Sequence, residues 1–131
     1  MTAPVWPDPQ SLLDGLSEYM ESEGQRMQVA RHDDFLAGLE RARLAYDYTP
    51  DATLADLAAL IFDGIATRHP LVDGNKRLAW VSAVSFLILN GVYLDAPERA
   101  SYAIGMAVIA KEKTVEDLAA FFTEHSTPIE A

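Results

Sequence analysis

Apolar positions recur along this chain at helical rather than alternating spacing. After a proline-bearing lead-in over residues 1–10, Leu12, Leu13, Leu16, Tyr19 and Met20 mark one face of a helix. Ser11 is its expected cap and Gly24 its expected end. Phe35, Leu36, Leu39 and Ala42 form a second face, with Asp33 or Asp34 as cap, His32 in the same cluster, and an end near Tyr46. The connector DYTPDAT follows, broken at Pro50. Thr53 and Asp56 have the spacing of a capping box, and LADLAALIFDGIATR behind them is apolar round most of its circumference, which predicts a buried helix. That helix should stop near His69, because Pro70 disfavours a helical residue before it. A second apolar helix is expected from about Lys76 to Leu89, stopping at Asn90-Gly91. Within it, Ser82 and Ser85 are expected to bond back to the preceding turn. Two more helices are expected, from Pro97 to about Ala110 and from Thr114 to about His125. Strand alternation and hairpin turn pairs are missing. The expected fold is therefore all-α, one domain over residues 1–131, with about six helices around two buried central ones.

Composition narrows the possibilities. Half of the 131 residues are hydrophobic, enough for a core without disulfides or a structural metal, and there is no cysteine. The N-terminus lacks a basic flank and an apolar run, and no stretch reaches the roughly 20 apolar residues of a membrane span. A cytoplasmic protein without membrane attachment is expected. The net charge of −10 repels phosphate backbones, so nucleic acid is not an expected partner. Solubility alone accounts for much of that acidity. Yet between Leu44 and Glu98 the only Lys or Arg residues are Arg68, Lys76 and Arg77, and all three bracket one short loop. Cations confined to one place in an anionic stretch point to a negatively charged ligand.

That loop reads HPLVDGNKR, His69 to Arg77. A helix starting at Gly74-Asn75-Lys76 leaves its first N–H groups unpaired, and these form an anion site together with the helix dipole. Gly74 allows close backbone approach, and Asn75 can cap the turn or bond a phosphate oxygen. Lys76 offers a point charge, Arg77 a planar fork. Asp73 offers a hard carboxylate suited to Mg²⁺ shared with phosphates. His69, at the other end, is a natural base for a hydroxyl proton. Each piece alone has a plainer explanation: Asp-Gly-Asn is an ordinary turn, and two cations are a solvated helix end. Five identities at fixed spacing arise by chance on the order of once in ten thousand chains, so the set is read as functional.

With these residues in view, the chain resembles the Fic/Doc superfamily and, within it, the death-on-curing (Doc) toxins of toxin–antitoxin pairs. The Fic pattern is HPFx(D/E)GNGRxxR and the Doc pattern HxFxDANKR. This chain has Lys76 where Fic enzymes have Gly, and Trp80 where they carry a second Arg, both as in Doc. Gly74 follows Fic, since Doc has Ala there, and Leu71 replaces the Phe of both patterns. The similarity extends over about residues 31–125. It implies a helical Fic fold, with His69 as base and Asp73 as metal ligand and part of the catalytic set. Gly74, Asn75, Lys76 and Arg77 would bind phosphates.

For a Doc-like member the resemblance implies ATP- and Mg²⁺-dependent phosphorylation of a threonine of elongation factor Tu, which stops translation. A Fic-like member would instead be an adenylyltransferase, moving AMP to a hydroxyl. The inhibitory (S/T)xxxE(G/N) motif of many Fic proteins is absent, which favours restraint by a separate antitoxin protein. A third possibility is a non-catalytic module that binds a translation factor. In that case His69 would be dispensable for toxicity.

Overall fold

A computed structural model describes residues 3–129. Six helices form in chain order: α1 (Pro9–Ser22), α2 (His32–Tyr48), α3 (Leu54–Arg68), α4 (Asn75–Leu89), α5 (Glu98–Ile109) and α6 (Val115–His125). The expected all-α class holds, with one small addition. Strands β1 (Val92–Leu94) and β2 (Ser126–Pro128) pair antiparallel, Tyr93 opposite Thr127. Three residues per strand are too few to show alternation, and the pairing depends on two segments that meet only after α5 and α6 pack.

Helix α3 is the centre. It packs against α2, α4 and α6, and its Leu57, Ile61, Phe62 and Ile65 are almost fully buried. Of the two central helices expected to be buried, α3 is the more fully enclosed. Helix α4 buries Leu78, Ser82, Phe86 and Leu87 on one face but exposes Ile88 and Leu89. The α2–α3 crossing is close because both helices carry a glycine at the contact. A Cβ added at Gly38 would lie 2.9 Å from the Gly64 carbonyl oxygen, and one at Gly64 only 2.5 Å from that of Gly38. Beside the crossing, Arg41 donates to the mostly buried Asp63 carboxylate at 2.6 Å.

Side-chain capping marks three of the six helix starts. The boxes at Thr53/Asp56 and Thr114/Asp117 are both formed. Helix α1 starts earlier than Ser11: Asp8 is the cap, accepting from the Ser11 N–H and hydroxyl, with Pro9 in the first turn. The extended lead-in is correspondingly shorter, and Trp6 within it stacks on Phe86 at 5.0 Å. Helix α2 is capped by neither Asp33 nor Asp34. It begins at His32 with both acids inside its first turn, where they complement the dipole. Ser82 does not bond back; its hydroxyl is buried without a partner.

At the far end of α4, the Asn90 carboxamide donates to the Val5 and Phe86 carbonyls and accepts from the Val5 N–H. This ties the lead-in to the core. No described helix is long and apolar enough to cross a membrane.

Two consequences can be measured. Gly64→Ala should lower stability by about 1–3 kcal/mol through overpacking, seen in urea denaturation; an unchanged midpoint would rule out the tight crossing. The Thr114 backbone N–H, and next its side chain, hold the Asp117 carboxyl below its ordinary value. A lowered folded-state value means the cap stabilises α6 above the ordinary carboxylate range and loses that effect as pH falls through the lowered value. A carbon-13 NMR titration should therefore place the Asp117 midpoint below those of uncapped exposed aspartates.

Candidate active site

The connection between α3 and α4 is six residues long and takes an abrupt course. Its first residue, His69, closes α3 in the left-handed region at φ 48°, ψ 58°. For a residue with a Cβ this costs about 1–2 kcal/mol, so the surroundings must hold it. Pro70 removes the α-helical option and cannot donate a hydrogen bond. Leu71 is buried and anchors the loop in the core, while Val72 is exposed.

The expectation for Asn75 is refined by its contacts. Its Oδ1 accepts from the Leu71 N–H at 2.8 Å and its Nδ2 donates to the Leu71 carbonyl at 2.9 Å. With the carboxamide occupied in this way, Asn75 has its backbone N–H to offer an anion. Gly74 is the cap residue of α4 at φ 92°, a conformation that favours glycine, and no side chain caps that end. The first N–H groups of α4 thus face outward. Asp73 turns one oxygen onto the Gly74 N–H at 2.9 Å. Lys76 is exposed, and the Arg77 guanidinium lies over the Tyr19 ring, 4.9 Å from its centroid.

A cleft of about 620 Å³ opens beside this helix end. The structure brings His69, Asp73, Gly74, Asn75, Lys76 and Arg77 all to its rim. Its floor is Phe62, Ala66 and Trp80. One wall is Met20 near the end of α1 with Gln25 just beyond that helix; the other is α5, with Glu98, Ser101, Tyr102 and Met106. The cleft is polar at the loop and at Glu98 and Ser101 of α5, and apolar over its floor and at the Gly105–Ile109 end of α5. His69 also borders a second depression, lined by Ala30, Arg31, Leu71, Val72 and Asn75. His69 therefore borders both openings.

A model of the Fic/DOC family matches residues 9–87, more than half of the chain. The chain belongs to the Fic/DOC family. Two curated relatives carry the Doc name. "Toxin Doc" of Mycolicibacterium smegmatis is 54% identical over 43 residues, 33% of each chain. "Protein kinase doc" of Escherichia phage P1 is 38% identical over 73 residues, 55% of this chain and 56% of that one. These matches span a third to just over half of the relatives' own lengths. Among solved structures, the N-terminal Fic domain of a VirB-translocated Bep effector protein of Bartonella quintana, with bound ADP, aligns over 98% of this chain and 57% of that one. Its TM-score is 0.46 at 15% identity.

In this Fic/DOC chain several cleft residues lie outside the motif. Gln25, Tyr102 and Met106 carry no local signal in the sequence, and Met20 shows there only as part of the apolar face of the first helix. Met20 is indeed buried, yet its sulfur would lie 3.5 Å from a Cβ at position 74. Segment 28–31 clasps the loop: Ala30 and Arg31 N–H groups both donate to the Pro70 carbonyl at 2.9 Å, and Val72 N–H to Gln28. His32, expected in a capping cluster with Asp33 and Asp34, is the exposed first residue of α2.

Asn75→Ala removes both bonds to Leu71. It should cost about 1–3 kcal/mol, since the Leu71 amide is left without its partner. Chemical denaturation checks this, and amide exchange at Leu71 and Val72 should quicken with it.

Proposed function

We propose that this chain is a Doc-type toxin that transfers the γ-phosphate of ATP to a threonine hydroxyl of elongation factor Tu and so arrests translation. A separate antitoxin protein holds it in check. Residues 1–131 act as one domain in the cytoplasm. The observation that carries this reading is Lys76, directly after Asn75, on the open end of α4 at the rim it shares with His69. A glycine at position 76 would leave a slot for one more phosphate. Lysine fills that slot with charge, which favours the nucleotide orientation that presents its terminal phosphate to the hydroxyl.

The chemistry follows from this placement. The acceptor oxygen attacks the γ-phosphorus, the bond to the β–γ bridging oxygen breaks, and ADP leaves with that electron pair. His69 takes the hydroxyl proton. The backbone of Gly74 and Asn75, with Lys76 and Arg77, holds the phosphates. Tyr19 limits the freedom of the Arg77 fork. Asp73 suits Mg²⁺: its carboxylate is exposed at the rim, and only one of its oxygens is engaged with the backbone. When bound, Mg²⁺ would offset charge on the transferred group. The apolar end of the cleft offers a nucleoside room away from water.

Gly74 favours a second reading, AMP transfer of Fic type. Its φ of 92° is one a glycine adopts freely and the alanine of Doc does not. The two readings separate on labelled ATP. Incubation with elongation factor Tu should transfer label from the γ position and none from the α position; α-label alone would establish the AMP-transferase instead. His69→Ala should lower transfer by about 10²–10⁴-fold and relieve growth arrest. Undiminished toxicity of that variant would leave a non-catalytic binding module.

A further inference from the structure

Arg31 stands at the cap position of α2, yet makes no capping bond there. Short polar residues are the favoured caps, and Asp8, Thr53 and Thr114 fill that role for α1, α3 and α6. Arg31 turns instead to the motif loop, 38 residues away. Its guanidinium donates to the His69 carbonyl at 3.3 Å, and its own N–H donates to the Pro70 carbonyl at 2.9 Å. One residue therefore grips the carbonyls of His69 and Pro70, one through its side chain and one through its backbone N–H, while the proline nitrogen itself donates nothing. His69 is one of two non-glycine residues at positive φ among those described. Helices α4 and α5 also start without a side-chain cap, so what sets Arg31 apart is its contact with the strained turn.

We propose that Arg31 is the positioning residue for His69. The guanidinium on the His69 carbonyl, added to the backbone bonds that hold Pro70, maintains the left-handed turn of a residue that borders both the cleft and the second depression. Without it, the His69 carbonyl loses its donor, the turn relaxes toward commoner dihedrals, and the ring leaves the line between nucleotide and acceptor. The claim builds on the reading of His69 as base, but the geometry it asserts can be tested apart from that reading.

The chain has three histidines, so the His69 imidazole resonances can be assigned with His69→Gln, and His125 serves as an internal control. In Arg31→Ala the His69 Cε1–H signal should shift and broaden while His125 stays in place, with the melting temperature within about 3 °C of the parent, since the arginine is exposed. A His69 signal superimposed on that of the parent would overturn the proposal. With elongation factor Tu and both α- and γ-labelled ATP, Arg31→Ala should lower kcat by about fivefold or more with the nucleotide KM unchanged. Arg31→Lys, which keeps a donor, should recover part of the loss. Unaltered kcat, or a loss confined to KM, counts against it. A parent that transfers neither label removes the enzymatic reading, and the imidazole signal still decides the role of Arg31.

Discussion

The two hydrogen bonds between the Asn75 carboxamide and the Leu71 backbone hold together everything the site needs. They close the α3–α4 connection on itself, so that a buried leucine and the first turn of α4 become one rigid piece. Each such bond has a net worth of only about 0.5–1.5 kcal/mol, but a broken one leaves a backbone group without a partner. The clamp thus converts a six-residue linker into a fixed frame, with the imidazole at one end and the open helix terminus at the other. Asn90 does the same at the opposite end of α4, gripping Val5. Helix α4 is pinned at both ends by asparagine side chains that bind backbone.

The frame works because α3 cannot move. Its packing against α2 through facing glycines leaves no room for sliding, since even a methyl group at either position meets backbone. The Arg41–Asp63 pair beside this crossing is half exposed on the arginine side, so its attraction is screened and adds little by itself. Its larger effect is to keep the Asp63 carboxylate from being buried alone. From this fixed helix the chain leaves through a left-handed residue, which aims the loop back toward the start of α4 instead of continuing outward.

The cleft is assembled from parts that know nothing of one another in sequence. Helix α1 brings Tyr19 under the Arg77 guanidinium and Met20 against Gly74; α5 brings Tyr102 and Met106 from the other side. Segment 28–31 then locks the loop from behind. The run His69 to Arg77 brings both cations of the cleft, and the remaining elements fix its orientation. The all-helical architecture is therefore a holder for one nine-residue loop.

By itself the sequence determined whatever depends on neighbours a few residues apart: the helical periods, the boxes at Thr53 and Thr114, the stop at Pro70, and the run His69 to Arg77 with its charges. The early start of α1 was also within reach, because Pro9 in a first turn behind Asp8 is a local signal. Only the tertiary structure decided that the Asn75 side chain faces Leu71, that Arg31 rests on His69 across 38 residues, that Arg41 meets Asp63 across 22, and that β1 finds β2. Capping and periodicity are short-range and leave a pattern in adjacent letters. Contacts between distant segments depend on how whole helices cross, which only the folded packing resolves.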